Sequence, residues 1–417
     1  MKSASNTLPD QAPNDLTGGL DWARDDHAVS IVNGRGREIA RHTIEHTAAG
    51  LVELVAVLKR AGCGEVAIER PDGPVVDALL AAGVTVVVIS PNQVKNLRGR
   101  YGSTGNKDDR FDAFVLADTL RTDRARLRPL VPDTAETAAL RRVVRARRDL
   151  VAHRVAAANQ LRAHLRLVFP GAVGLFKEID SLITLTFLTR FPTQDKADWL
   201  TPARLGKWLS SVGYSGGMDP AVLHTHLTAA ARGATGDAAA AQQPITDSFV
   251  AVLKVLGQQI KALEAQIGSQ LDAHADQHIF TSLPRSGRVR AARLLAEIGD
   301  CRAKFPTPEA LICLAGVAPS TRQSGKTRVV AFRWACDKQL RDAVCDFAGD
   351  SVRANDWAAD LYRRARDRGH DHPHAVRILA RAWLTVIWHC WQDGVRYNPA
   401  QHRALQRLLN QDRKGAA

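Results

Sequence analysis

A chain of 417 residues with 45% hydrophobic and 24% charged side chains has the composition of a folded protein and the length for two or three separately cored domains. Its 57 lysines and arginines against 43 acids leave a formal charge of +14, which favours a polyanionic partner, most simply nucleic acid. Six cysteines form no CxxC pair, which argues against a zinc ribbon or a secreted disulfide framework. No apolar run approaches membrane-spanning length, so a soluble cytoplasmic protein with no membrane partner is expected.

Residues 1–17 begin MKSASNTLPDQAPND, polar and proline-containing, and read as a disordered tail. From residue 18 the pattern is strand-like: GGLDWA, HAVSIVN, the turn-former NGRGRE and then IARHTIEH, a hairpin followed by a third strand. Residues 48–61 have helical periodicity, EVAIER (65–70) is a short strand and PVVDALLAAG (74–83) a helix. TVVVISP (85–91) is a β-branched run expected of a strand buried on both faces, and helical pattern resumes at NQVKNLRG and from Asp109 to about Leu120. The order β-β-β-α-β-α-β-α-α, an antiparallel start passing into βαβ units, describes a ribonuclease H-like mixed sheet over residues 18–130.

A coiled-coil and insertion region is expected over 131–278. Its first helix, 136–168, has an apolar stripe of Leu140, Val144, Val151, Val155, Leu161 and Leu165. It also carries eight arginines and few acids, so Arg141, Arg142, Arg145 and Arg148 are candidate phosphate contacts. Residues 229–244, AAARGATGDAAAAQQP, read as a low-complexity loop, and a second heptad-like helix is expected from Asp247. The remainder, 279–410 with a tail at 411–417, reads as a helical domain, and its tryptophans 334, 357, 383, 388 and 391 as core residues more than base-stacking platforms.

Carboxylates fall where this topology gathers strand ends. Asp21 ends the first strand, Glu69 the fourth, and Asp109 and Asp112 share one face at the start of a helix. Four such groups suit hard, oxygen-seeking cations such as Mg²⁺, with Mn²⁺ as substitute, and a pair of ions can clamp both oxygens of a phosphodiester displacement. Asp25 and Asp26 compete with Asp21, and Asp108 and Asp118 with the helix pair. Aspartates here also serve simply as helix caps. His370, His372 and His374 alternate, but with no second ligand cluster beside them they make a poor zinc site.

Asp21, Glu69 and the run Lys107-Asp108-Asp109-Arg110-Phe111-Asp112-Ala113 resemble the DEDD transposases of insertion sequences, whose catalytic domain is similar to a Holliday-junction resolvase. Within that pattern Asp109 and Asp112 are the motif aspartates. SLPRSGRVRAARLLAEIGD (282–300) resembles the family's helix-hairpin-helix entry, 305–328 its A-G-x-x-P…S-G-K segment and 372–389 its closing helix. The likeness covers about 18–168 and 247–392. It departs where Pro284-Arg285-Ser286-Gly287 lacks the usual first glycine, and where Cys336 stands for the glycine before Leu340-Arg341.

The resemblance implies a C-terminal helical transposase domain and a DNA transposase-recombinase of a mobile element, an enzyme of phosphodiester transesterification. It makes Ser324 the nucleophile, Ser320 being its rival, with Arg322, Lys326 and Arg328 as phosphate contacts. It further implies double-stranded donor and target DNA, a guide RNA encoded by the element, assembly as a homodimer or homotetramer, and a place in the bacterial cytoplasm at the nucleoid. The alternative is a structure-selective, Holliday-junction-type metal-dependent endonuclease that uses the carboxylates alone.

Overall fold

The computed structural model describes residues 7–101, 108–325 and 327–415. Lys107 and Lys326 lie outside the described residues. The chain divides into two compact units, residues 1–132 with 301–306, and residues 133–300 with 307–417. The long helices expected as a separate middle region therefore share a unit with the C-terminal block.

The first unit is built on a five-stranded mixed sheet. β1 (Leu16–Trp22), β2 (Asp26–Asn33) and β3 (Glu38–Glu45) form an antiparallel meander. The chain then runs through α1 (Ala48–Ala61), β4 (Glu65–Ile68), α2 (Pro74–Ala81), β5 (Thr85–Val88), α3 (Pro91–Arg98) and α4 (Asp109–Thr122). The strand order is β3-β2-β1-β4-β5, with β4 parallel to both β1 and β5. This is the element order expected from the sequence, and the sheet with helices on both faces is ribonuclease H-like. Leu54, Leu58, Val75 and Leu79 from α1 and α2 cover one face. Val94, Val115, Leu116 and Leu120 from α3 and α4 cover the other. Val86 and Val87 face these two cores in turn, although β5 is an edge strand; Leu130 N–H donates to Val86 O at 2.7 Å along its outer side.

Residues 9 and 11, within the stretch that reads as a loose tail, are tied to the sheet. Arg124 is buried against Glu65 in a two-pronged ion pair, 2.6 and 3.1 Å, and donates also to Pro9 O at 3.0 Å and Gln11 O at 3.4 Å. A buried guanidinium needs its donors satisfied, and the carbonyls of residues 9 and 11 satisfy what Glu65 does not.

In the second unit α5 (Ala135–Val168) leads to the short helices α6 (Leu182–Arg190), α7 (Gln194–Ala197), α8 (Pro202–Ser211) and α9 (Pro220–Ala229). These pack around Phe169, Phe187 and Leu223 at one end of α5. The second long helix, α10 (Gly236–Ala273), returns along α5 and starts well before Asp247. Alanines 238–241, which read as low-complexity loop, are strong helix formers, and Pro244 is accommodated inside the helix. The seam of α5 follows a heptad through 140, 144, 147, 151, 154, 158, 161 and 165. Val155 lies one residue off that line and is 51% exposed, whereas Leu140, Val144, Leu161 and Leu165 are buried.

The unit continues through α11 (Gln277–Thr281), α12 (Gly287–Ile298), α13 (Pro308–Leu314), a hairpin of β6 (Ser320–Ser324) and β7 (Thr327–Ala331), then α14 (Lys338–Ser351), α15 (Asp356–Asp367), α16 (His372–Asp393) and α17 (Arg403–Gly415). The hairpin was not expected in a block that reads as helical. Trp383 and Trp391 are fully buried, their indole N–H groups donating to Ser351 Oγ (2.8 Å) and Gly299 O (2.9 Å). Trp357 is buried too, while Trp334 stands 79% exposed.

Candidate functional site

The acidic site is assembled by a close approach of helix to strand. An added Cβ at Gly19 of β1 would lie 2.0 Å from Ala113 O and 2.4 Å from Ala117 N of α4, so only glycine lets the helix sit this near. Thr17 Oγ1 donates to Ala117 O at 2.9 Å, tying the same two elements. Asp21 follows on β1, and the start of α4 lies over the same strand end. β1 and β4 pair Leu20 with Ile68, so Glu69, the next residue, leaves the sheet beside Asp21. The loop after Glu69 is pinned because Arg70 lies 4.1 Å above the Trp22 ring and Gly73, at φ +103°, packs under its edge.

Carboxylate oxygens of Asp21, Asp109 and Asp112 lie within 4.8 Å of one another, the one such acidic, histidine or cysteine group among the described residues. Asp109 is exposed, Asp21 half-buried and Asp112 only 2% exposed. Glu69 is half-buried and stands outside this trio, at the neighbouring strand's end. The other aspartates have different work. Asp108 caps α4, accepting from Arg110 N–H at 3.1 Å. Asp118 is buried and accepts from Tyr101 Oη (2.5 Å) and Arg121 Nε (2.7 Å). Asp25 and Asp26 are exposed at the β1–β2 turn. The run around Asp108–Asp112 thus supplies both a cap and two members of the trio.

A residue that sequence reasoning missed completes the site. Arg98, at the end of α3, grips both oxygens of Asp112 through Nε and Nη2. Its pKa is raised above the ordinary arginine value, first by these hydrogen bonds and further by the nearby charges of Asp112, Glu69 and Asp21. Nothing local in NQVKNLRG announces this; the only signal is that a buried aspartate demands a cation. The donor set itself, three carboxylates and no sulfur or imidazole, fits a hard divalent ion. Oxygens on one Mg²⁺ lie within about 4.2 Å of each other, since each is about 2.1 Å from the metal. Asp112 has lone pairs for such an ion while it still accepts from Arg98.

In the second unit Ser324 ends β6 at the hairpin tip, followed by Gly325 at φ +54°. Among the described residues its hydroxyl has no hydrogen-bond partner, and residues 321–325 and 327–331 are all exposed. Pairing of Arg322 with Val329 and Ser324 with Thr327 puts Ser320, Arg322 and Ser324 on one face of the ribbon and Arg328 on the other. The arginines of α5 are less available than their number suggests. Arg141 pairs with Asp133 and donates to Ala296 O (2.6 Å), Arg145 grips Glu297 (2.6 and 3.0 Å), and Arg148 reaches Gln339 (2.7 Å) and Asp342 (3.3 Å). Of the four, Arg142 is exposed. His372 Nδ1 lies 2.8 Å from Tyr362 Oη, and the rings of His370 and His374 are 4.2 Å apart.

The two departures from the family pattern are absorbed locally. Arg285 takes the left-handed conformation of the missing glycine, φ +53°, and Gly287 follows at +59°. Cys336 occupies the space beside Gly316, where an added Cβ would lie 2.5 Å from the Cys336 Cβ.

A family model described as Transposase matches residues 18–170, and one described as Transposase IS116/IS110/IS902 family matches residues 277–363. A Streptomyces coelicolor protein named for transposition of the IS117 mini-circle is 34% identical over 408 residues, covering 94% of this chain and 97% of that protein. The insertion element IS900 uncharacterized 42 kDa protein of Mycobacterium paratuberculosis is 28% identical over 396 residues, covering 92% and 97%. Both domains are matched in the same order, and the first relative is covered almost end to end. The chain belongs to the IS110 family of DEDD transposases carried by insertion elements.

Proposed function

We propose that this transposase cuts and rejoins DNA strands by serine transesterification at a site supported by the Asp21/Asp109/Asp112 trio with Glu69. The observation that carries the reading is the convergence of three carboxylates within 4.8 Å at a strand end and a helix start. These residues would hold Mg²⁺, or Mn²⁺ in its place. When bound, such an ion supplies Lewis-acid charge for the phosphoryl oxygens.

The chain's own groups have the following roles in this proposal. Arg98 holds both oxygens of Asp112 and fixes its orientation, and Asp108 orders the first turn of α4 beneath the trio. Ser324 Oγ attacks the scissile phosphorus. An Oγ–P bond forms as one P–O bond of the strand breaks, and the leaving oxygen takes up a proton equivalent to the one the serine loses. The phosphodiester energy is kept in the serine–DNA link for rejoining. Arg322, on the face of Ser324, contacts the phosphate, and Lys326 and Arg328 flank the strand. Assembly as a homodimer or homotetramer brings the two catalytic parts together, and an RNA from the element directs donor and target double strands. These last points rest on the family resemblance.

The test is incubation of the protein with element-junction DNA, target DNA, Mg²⁺ and RNA from the element's flank, read as protein–DNA adduct on a denaturing gel. An adduct with wild type, absent with Ser324→Ala and with Asp109→Ala, is expected. Cleavage without adduct that survives Ser324→Ala would instead identify an endonuclease using the carboxylates alone.

A further inference from the structure

The second unit contains a groove of about 870 Å³, walled by α12, α14 and the start of α16, in which charge is unevenly satisfied. Its three acids are already engaged. Asp342 pairs with Arg148 (3.3 Å) and Arg293, Asp346 with Arg290 (2.9 Å), and Asp350 with Arg285 (3.0 Å) and Arg290 (2.9 Å). Lys338, Arg341 and Arg377 line the same groove, and none has a carboxylate within ion-pair distance among the described residues. Arg341 Nη1 is buried with no hydrogen-bond partner among the described residues.

Both arginines lean on one ring in spite of their like charge. Each guanidinium carbon lies 4.9 Å from the centre of the Phe332 ring. Cation–π attraction of this kind offsets part of the repulsion but leaves the N–H donors of both groups to be filled. Cys345 lies on the same wall. Burial pushes its thiol up to about 11, so it adds no negative charge at neutral pH. Beside the groove, the exposed Trp334 packs edge-on against Phe332, with ring centroids 4.9 Å apart, and extends the aromatic wall into solvent. A wall of unpaired cations continued by an exposed indole matches a polyanion that also presents flat, unpaired bases.

We infer that this groove binds a single nucleic-acid strand, with Lys338, Arg341 and Arg377 contacting its phosphates and Trp334 stacking on a base. The inference extends the proposed function and rests on it only for the nucleic-acid identity of the polyanion. Phosphodiester and base are common to DNA and RNA, so the experiment separates the two.

Fluorescence anisotropy of the full chain in EDTA, where no cleavage is possible, would be recorded with a labelled 12-nucleotide DNA, the same sequence as RNA, and a 12-base-pair duplex, over a series of salt concentrations. Arg341→Gln/Arg377→Gln should weaken single-strand binding about ten-fold or more and lower the slope of log K against log salt by about 1.4, near 0.7 for each phosphate that is no longer neutralised. Lys338→Gln, at an exposed helix start that folding does not depend on, should lower the slope by about 0.7. Trp334→Ala should weaken binding at least about five-fold with the slope unchanged. Equal losses on DNA and RNA assign the groove to their shared backbone, and a loss on one alone names that polymer as its ligand. Unchanged affinity and slope in Lys338→Gln and in a double variant that melts like wild type would overturn the proposal. A duplex bound as tightly as the single strands and indifferent to Trp334→Ala would overturn the single-strand assignment. Because no strand is cut in EDTA, this result is independent of whether Ser324 or the carboxylates perform the chemistry.

Discussion

Asp112 is buried, gripped by Arg98 and seated on a helix that touches β1 through a missing Cβ, whereas Ser324 stands exposed at the tip of a ribbon whose described residues beyond Ser320 are all exposed. The contrast concerns where order comes from. The acidic trio inherits its geometry from a sheet packed on both faces, so its side chains are positioned before any ligand arrives. A lone two-stranded ribbon is marginal in water, and its unpaired edges are open to another surface. The first region is preorganised for its chemistry. The second has no packed faces of its own to fix it.

If preorganisation of the trio depends on the helix–strand approach, the largest effect should come from the smallest residue. Gly19→Val puts carbon where Ala113 O and Ala117 N already lie, and backbone, unlike a flexible side chain, cannot step aside cheaply. A loss of about 3 kcal/mol in unfolding free energy is expected from overpacking at such a contact. Divalent-ion binding should weaken along with it. Denaturant unfolding and calorimetric titration with Mn²⁺ measure the two effects. A variant as stable as wild type that binds the ion equally well would break the link between Gly19 and the site.

Arg98 sharpens the same side of the comparison. Without it Asp112 stays buried with no fixed cation, so Arg98→Gln should lower stability by about 2 kcal/mol in EDTA, a figure reduced because Arg98 is partly exposed. A bound divalent ion then takes over the compensating charge and stabilises the native state by mass action. Added Mg²⁺ should therefore raise the melting temperature of Arg98→Gln more than that of wild type. Equal responses would mean that Arg98 and the ion do not share the charge of Asp112.

The two regions also differ in how far the sequence discloses them. The element order along the chain and the placing of Asp21 and Glu69 at strand ends were legible, because period-two runs and turn residues report on local backbone. The choice of Asp109 and Asp112 over Asp108 came from the family pattern; in the structure Asp108 caps α4, while Asp109 and Asp112 lie together with Asp21. Arg98 was not legible. Its partner is fourteen residues on, across the 99–108 connection, and no periodicity marks the pair. The arginines of α5 illustrate the opposite error. A charge count reads Arg145 as available, but its carboxylate, Glu297, lies 152 residues away in sequence. Composition reports how much charge a chain has and is silent on how much is already neutralised. The early start of α10 was hidden for a related reason, since an alanine run has high helix propensity but no polar–apolar alternation to reveal it.

Whether looseness in the second unit is confined to the ribbon is tested most finely at Arg285. Most residues with a Cβ avoid φ near +53°, at a cost of about 1 kcal/mol, and glycine is the residue that meets it freely. Arg285 stays there because its Nε donates to Asp350 at 3.0 Å while its carbonyl accepts from Arg290 Nη1 at 2.8 Å. Arg285→Ala loses the side-chain bond and keeps the strain. Arg285→Gly loses the same bond and releases the strain. If the turn between α11 and α12 is held rigidly, the glycine variant should be the more stable of the two by about 1 kcal/mol in denaturant unfolding. If the turn is as pliable as the ribbon, the alanine variant relaxes to negative φ and the two unfold together. A difference near 1 kcal/mol would place the boundary between rigid scaffold and ligand-shaped element at the hairpin and not at the edge of the unit.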